Sequence, residues 1–460
     1  MSLASNQNLN TLGVPIGLGL SFVGLVILAL SWMGIALPSI LLWVCLVALL
    51  FGMMVFGVST YAGETEGIKN NGIWHKSLTN KGMLAWVSGV VITGFYVELY
   101  WFPELLGLSA EGANTGLIAF FDPLSFALKG SAASQWFVYG TLYTIAIVGL
   151  GVKFIVKYRH NRYQFWRTLS VMVAQLFLAY FIPEIMEGMY QEQPYFAKDL
   201  KYFWPLNYYF FEDWHINNMT SEAGGSMGMF YLVWGIVGFT TLTPIITYFV
   251  GKRWYCSWVC GCGGLAETAG DPFRHLSDKS IKSWKLERWL IHGVLLYIVV
   301  VTAVVLYGYF SGQGSFMGMD IYTYFRKPYA FLIGAAFSGV VGVGFYPLLG
   351  NRVWCRFGCP MAAYMGIVQR FKSRFRITTN GGQCISCGNC STYCEQGIDV
   401  RSYAQKGQNI VRASCVGCGV CSAVCPRGVL KLENGPEENR VSDNPILIGH
   451  EQTKLNSDVI

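Results

Sequence analysis

The stretch Cys384-x-x-Cys387-x-x-Cys390-x-x-x-Cys394, followed by Cys415-x-x-Cys418-x-x-Cys421-x-x-x-Cys425-Pro426, decides the reading of this chain. The spacing is that of a protein holding two [4Fe–4S] clusters. Three closely spaced thiolates cap three irons of a cubane, and the fourth cysteine of each run reaches across to the other cluster. Cys384, Cys387, Cys390 and Cys425 are therefore expected to bind one cluster, and Cys415, Cys418, Cys421 and Cys394 the other. A zinc site would explain a single C-x-x-C pair but not two complete runs of four.

Outward from these runs the chain changes character. Hydrophobic residues make up 53% of it and charged residues 13%. Apolar stretches of about 20 residues recur, each long enough to cross a hydrocarbon core of about 30 Å. The fold class expected is mainly α: a polytopic membrane protein of about eight transmembrane helices with a C-terminal α+β two-cluster ferredoxin-like domain. The spans are placed at about 13–33, 36–58, 83–102, 135–156, 167–187, 228–250, 289–310 and 328–349. The apolar segment 117–128 contains Asp122-Pro123 and is too short to span, so it reads as re-entrant or interfacial. The division that follows is an N-terminus 1–12, a membrane region 13–250 with spans 1–6, a region 251–373 with spans 7–8, the ferredoxin domain 374–434 and a polar, disordered tail 435–460.

Charge gives an orientation. The formal net charge is +7, and basic residues crowd the loops after spans 2, 4, 6 and 8, among them Lys69, Arg159, Arg162, Lys252, Arg253, Arg370 and Lys372. The opposite loops hold few, mainly Lys129, Lys198, Lys201, Arg326 and Lys327. By the positive-inside rule both termini and the ferredoxin domain face the cytoplasm of a bacterial inner membrane. Iron–sulfur thiols need that reducing compartment, and disulfides are not expected. The aromatic loop 188–227 is expected at the outer membrane–water boundary.

A second group of cysteines sits in an internal repeat. Gly251-Lys252-Arg253-Trp254-Tyr255-Cys256-x-x-x-Cys260 resembles Gly350-Asn351-Arg352-Val353-Trp354-Cys355-x-x-x-Cys359-Pro360. Both follow a span that exits to the cytoplasm, so both pairs are expected at the inner membrane surface. Pro360 suits the first turn of a helix, which would put Cys359 at its N-terminus and favour the thiolate. The first copy has Gly261 in place of that proline and an extra Cys262. Cys256, Cys260, Cys355 and Cys359 are candidates for a further cluster, a soft metal such as Cu(I), or two redox dithiols.

Paired C-x-x-x-C(P) motifs followed by a two-cluster ferredoxin module resemble the NapH/NosR/CcoG-like membrane polyferredoxins, over about 228–430. The resemblance implies membrane electron transfer serving quinol oxidation, a respiratory reductase or metal-centre maturation. No outer flavin domain of the NosR kind is visible before span 1. The expected partners are membrane lipid, quinone and a respiratory or reductase subunit, with no nucleic acid. The chain is read as an electron-transfer component or quinol-linked oxidoreductase subunit, with a copper reductase or oxidase-maturation role as the alternative.

Six histidines, mostly in loops, do not supply the facing pairs an intramembrane haem needs, and no threonine flavinylation motif is found, so neither haem nor flavin is expected. Glu98, Glu104, Glu184, Glu187 and His292 near span ends are candidates for proton or quinone contact. The tripeptides Met227-Gly228-Met229 and Met317-Gly318-Met319 offer thioethers for copper.

Overall fold

The computed structural model describes residues 3–64, 76–109, 113–190, 199–371, 373–380 and 382–435. The expected tail from 436 onward lies outside the described residues, as do Lys69, Lys198, Lys372, His75 and His450.

The protein is mainly helical. Among the described residues seven helices are long and apolar enough to cross a membrane: Leu12–Trp32, Ile40–Tyr61, Met83–Trp101, Gln135–Lys157, Arg162–Met189, Gly225–Phe249 and Ile281–Ser311, spans 1 to 7 below. Local chemistry sets several starts. The Ser134 hydroxyl accepts from the Phe137 N–H at span 4, and Asn161 Oδ1 accepts from Tyr163 and Gln164 N–H at span 5. The segment 116–129 forms a helix whose Leu117, Ile118, Phe120 and Phe121 are buried among the spans.

The eighth expected span differs. Residues 321–341 are helical, largely as π-type turns, but Arg326, Lys327 and Pro328 take up its first turns and shorten the apolar run. The chain then turns at 342–345 beside the middle of span 3: a Cβ at Gly344 would meet Thr93 Oγ1 at 2.4 Å, and one at Gly339 would meet Tyr96 Cδ1 at 2.7 Å.

At one end of the helices sits a compact module. Its strands Phe375–Thr379 and Leu430–Asn434 pair antiparallel, with Ile377 opposite Leu432. Three short helices, Asn389–Thr392, Val400–Gln405 and Val420–Ala423, pack on them. Gly388 and Gly419 hold the same place in the two cysteine runs and take φ of +80° and +70°, which admits the tight turn ahead of each short helix.

Three segments enter the membrane domain instead of lying at its surface. The two copies of the repeat are short helices and turns buried between spans. The helix Trp254–Trp258 is followed by Gly261–Thr268, and π-type turns at Trp354–Gly358 lead into the helix that begins at Pro360. A Cβ at Gly261 would meet Gln175 Oε1 at 2.6 Å and Tyr143 Cε1 at 3.1 Å. Tyr143 stands about 20 Å from the ferredoxin-side end of span 4 at the usual helical rise, so Gly261 lies near mid-depth. The aromatic loop is the third such segment. Trp204 Nε1 donates to Thr302 Oγ1 of span 7 at 3.0 Å, and its ring packs 5.0 Å from Phe239 of span 6. Farther in, Tyr255 Oη donates to the Lys201 carbonyl at 2.5 Å. The expectations of an inner-surface position for the pairs and a boundary position for residues 199–211 are therefore corrected. Non-helical backbone at membrane depth is tolerated where protein buries it, and a window of about 20 residues does not register such short pieces.

Candidate iron–sulfur and thiol sites

The ferredoxin module holds two partly open cavities. Cys384, Cys387, Cys390 and Cys425 line the first; Cys394, Cys415, Cys418 and Cys421 line the second. The structure thus brings together the two groups of four that crossed ligation calls for. The remaining lining is mostly apolar: Ile385, Val429 and Leu430 in the first, Ile377, Ile398, Val400 and Ile410 in the second. Among the described residues no three His, Cys, Asp or Glu side chains converge closely enough for a single ion. Four thiols ringing an apolar space suit a cluster of several irons better than one tetrahedral zinc. Burial pushes the Cys394 thiol up to about 11 and Cys418 up to about 12. Such thiols keep their protons until a bound metal displaces them.

The two cavities face different surroundings. Cys387 is exposed, and exposed Arg401 and Arg427 flank the first cavity. The second is tied to the membrane helices. Tyr163 Oη donates to the Gly417 carbonyl at 2.8 Å, Gln164 Nε2 to the Cys418 carbonyl at 2.6 Å, and Ser277 Oγ to the Glu395 carbonyl at 2.7 Å.

Beneath that contact runs a buried chain of ion pairs. Asp271 meets Lys157 and Arg274 at 2.7 Å each and Lys153 at 3.8 Å. Arg274 continues to Glu395 at 2.9 Å, and Glu395 to Arg352 at 2.9 Å. Arg352 reaches Glu267 at 2.7 Å, and Glu267 pairs with Arg167. Burial opposes ionisation of Asp271, yet Lys157, Arg274 and Lys153 hold its carboxyl well below the usual carboxylate range. Five cations against three carboxylates leave a surplus of positive charge beside the second cavity. That surplus suits the negative charge of a thiolate-bound cluster. The chain also fixes the ferredoxin module to spans 4 and 5.

The repeat cysteines come together as well. Cys256, Cys260, Cys355 and Cys359 are buried in one packed cluster with Trp254, Tyr255, Met361 and Met365; Cys262 and Cys418 pack against its edge. Arg352 Nη1 lies 3.8 Å from Cys355 Sγ and donates to the Cys256 carbonyl at 3.2 Å, while Arg253 Nη1 donates to the Cys355 carbonyl at 3.1 Å. The buried Lys201 ammonium stands near enough to Cys260 for their charges to interact. Cys359 stands at the N-terminus of the helix that begins at Pro360 but is buried, so the surface position expected for it is corrected. The sequence reading missed Lys201, held at 2.8 Å by Asp199, because it assigned that loop to the outer boundary.

The weaker candidates are scattered. Glu98 accepts from Trp32 Nε1 at 2.7 Å, and Glu184 and Glu187 meet Lys129 at 3.5 and 3.3 Å. His292 is exposed on span 7 with Nδ1 2.7 Å from the Arg288 carbonyl. Met229, Met317 and Met319 are exposed.

Comparison with known proteins agrees with this arrangement. A 4Fe–4S dicluster domain matches residues 376–426, and a 4Fe–4S binding domain matches twice, over 231–280 and 331–378. The chain is a 4Fe–4S ferredoxin-type membrane protein. Each of the two latter matches contains one copy of the repeat. The chain is similar to YccM of Escherichia coli (strain K12), whose name proposes electron transport, at 30% identity over 34% of this chain and 44% of that protein. It is similar to the methylamine utilization ferredoxin-type protein MauN of Paracoccus denitrificans (strain Pd 1222), 30% identical over 32% of this chain and 50% of that one. MauN of Methylobacillus flagellatus is 26% identical over 34% of this chain and 53% of its own length. The chain spans about half the length of the curated relatives it matches. No solved structure matches it.

Proposed function

We propose that this protein relays electrons between the membrane quinone pool and a respiratory or reductase partner, in the manner of the NapH/NosR/CcoG-like polyferredoxins. The observation that carries the reading is the polarity of the ferredoxin module: its first cysteine cavity opens to solvent and its second is bound to the membrane domain. Bound there through the eight module cysteines, each [4Fe–4S] cluster stores one electron, so a pair matches the two electrons a quinol gives up with two protons on becoming quinone. The exposed Arg401 and Arg427 beside the first cavity suit a partner with an acidic docking face. Loop charge favours a cytoplasmic ferredoxin module.

On the membrane side an open apolar groove runs along span 5, lined by Arg162, Tyr163, Trp166, Leu169, Ser170, Val173 and Trp258. Its position on a membrane helix makes it reachable from lipid. Trp258 lies between Cys256 and Cys260, and Tyr163 bonds the second cysteine loop. Aromatic rings there offer stacking for a quinone ring, and Arg162 offers a donor for one of its oxygens. The test is reduction of the anaerobically purified protein by a quinol analogue, read as loss of visible iron–sulfur absorbance. The relay reading expects Trp258→Ala to slow that reduction at least tenfold while dithionite still bleaches fully; an unchanged rate removes the groove from the route. Copper reduction for oxidase maturation is the second reading, favoured by Met361 and Met365 buried among the repeat thiols.

A further inference from the structure

We propose that a basic pocket at the junction of the ferredoxin module and the end of span 6 binds the phosphate headgroup of an anionic phospholipid. Lys252, Arg370, Arg376 and Arg412 line it, together with Gln369 and Ser373. None of its four cations lines a cysteine cavity or the groove on span 5.

The first observation is place. The Tyr248 carbonyl accepts from the Arg374 N–H at 3.1 Å, and the Phe249 carbonyl accepts from Asn434 Nδ2 at 2.8 Å. The strands of the module therefore stand directly on the last turn of span 6. That end is apolar and exposed, at Tyr248, Phe249 and the following Val250. A Cβ at Gly251 would meet Phe375 Cβ at 1.8 Å, so no side chain fits between span and strand there. On the other side of the pocket the Arg412 guanidinium lies 4.5 Å from the centre of the Trp284 ring. Trp284 belongs to the first turns of span 7, where Leu286 and Trp289 are exposed, Trp289 at 81%. Tryptophan at the end of a span marks the level of the lipid headgroups. The pocket thus opens between the ends of spans 6 and 7 at the depth where phosphates lie.

The second observation is charge. No aspartate or glutamate lines the pocket. Glu287 stands 4.0 Å from Arg412 but 2.7 Å from Arg356, so one carboxylate serves two arginines. Arg376 faces Glu433 across the strand pair. Even with both carboxylates set in full against Arg412 and Arg376, the charges of Lys252 and Arg370 remain. Lys252 is buried, and its Nζ donates only to a neutral group among the described residues, the Ile410 carbonyl at 2.9 Å. The C-terminus of the helix Pro360–Phe371 also borders the pocket and brings about half a negative charge. A surplus above one positive charge is left, which matches the single negative charge of a phosphodiester.

The third observation selects a lipid over a soluble phosphate. Val411, between two lining residues, is 71% exposed. Ile367 is exposed three residues before exposed Arg370 on the same helix, so the two share a face. Apolar side chains beside the cations offer contact to acyl chains while the cations reach the headgroup. The site also joins three segments: Lys252 from the first copy of the repeat, the end of the helix that follows the second copy, and the loop 409–412 that leads to Cys415. A phosphate held by all three ties the ferredoxin module to the membrane domain.

The experiment is native mass spectrometry of the full-length protein, purified without oxygen in a neutral detergent and titrated with phosphatidylglycerol or with phosphatidylcholine of the same acyl chains. The parent protein is expected to take up one phosphatidylglycerol saturably, at least about tenfold more tightly than phosphatidylcholine, and to gain thermal stability with it. Arg370→Gln/Arg412→Gln is expected to weaken that binding about twentyfold, roughly fivefold for each charge removed, and to lose the gain in stability. Arg401→Gln/Lys406→Gln removes the same charge from exposed positions of the module and is expected to keep both. Equal binding of the two lipids by the parent overturns the proposal, and this comparison decides even where a variant fails to fold. Equal weakening in the two double variants overturns the pocket, since general attraction to a basic surface then accounts for the binding. Displacement of phosphatidylglycerol by an equal concentration of inorganic phosphate overturns the lipid headgroup as the ligand.

Discussion

Arg352 joins the two halves of the protein through single atoms. One guanidinium serves Glu267, Glu395, the Cys256 carbonyl and the Cys355 sulfur. Its carboxylates are buried, and removing it leaves Glu267 with Arg167 alone and Glu395 with Arg274 alone. Arg352→Gln is expected to destabilise the protein by about 3–5 kcal/mol, read as a large fall in the thermal unfolding midpoint in detergent; a fall no greater than that of an exposed Arg370→Gln would contradict this role. At this scale the eight module cysteines were legible, since their spacing alone groups them. The surroundings of the repeat thiols were not. Cys359 is buried at its helix N-terminus instead of lying at the membrane surface, and Cys260 has Cys262 and Lys201 as neighbours, one from a nearby turn and one from a distant loop. Sequence adjacency hints at the first and says nothing of the second.

Among the elements, the seven spans announced themselves because continuous apolar runs need no partner to be recognised. The eighth is helical over 321–341 but irregular: Arg326-Lys327-Pro328 charges its first turns, and glycines at 339, 342 and 344 let the chain turn beside span 3. The buried repeat segments were placed at the inner membrane surface because both follow a span that exits to the cytoplasm. Their glycines have steric reasons. A Cβ at Gly263 would meet the Cys256 carbonyl at 1.9 Å, and one at Gly264 would meet Val171 Cγ1 at 2.4 Å. Gly264→Val is therefore expected to disrupt the thiol cluster while sparing the ferredoxin iron, checked by the intensity of the module's EPR signals; loss of all iron would mean the two sites do not fold separately. A membrane-impermeant maleimide tests the burial. It is expected to leave Cys256, Cys260, Cys355 and Cys359 unlabelled from either face of intact vesicles, and rapid labelling from one face would return the pairs to the surface.

For the whole molecule, the arrangement is a line: an exposed cysteine cavity, a second one bonded to spans 4 and 5, and a thiol cluster at mid-depth. The buried ion-pair chain from Lys153 to Arg167 fixes the second and third of these to each other, which specifies one docking geometry at the expense of desolvating every charge in it. The direction of this line across the membrane is predicted from loop charge. Reporter fusions after residues 160, 280 and 375 are expected to report cytoplasm and fusions near 210 and 318 the other side; an external signal at 375 would reverse the line. The central claim, that electrons pass between the membrane and the ferredoxin module, is tested most directly by rapid-mixing of the anaerobic protein in liposomes with a quinol analogue while the EPR signals of the module are followed. The relay account predicts that quinol alone elicits the reduced ferredoxin signals in the parent protein and fails to do so in Cys418→Ser at the cavity facing the membrane domain. Full reduction by dithionite with no response to quinol, in a parent protein carrying both clusters, would contradict it.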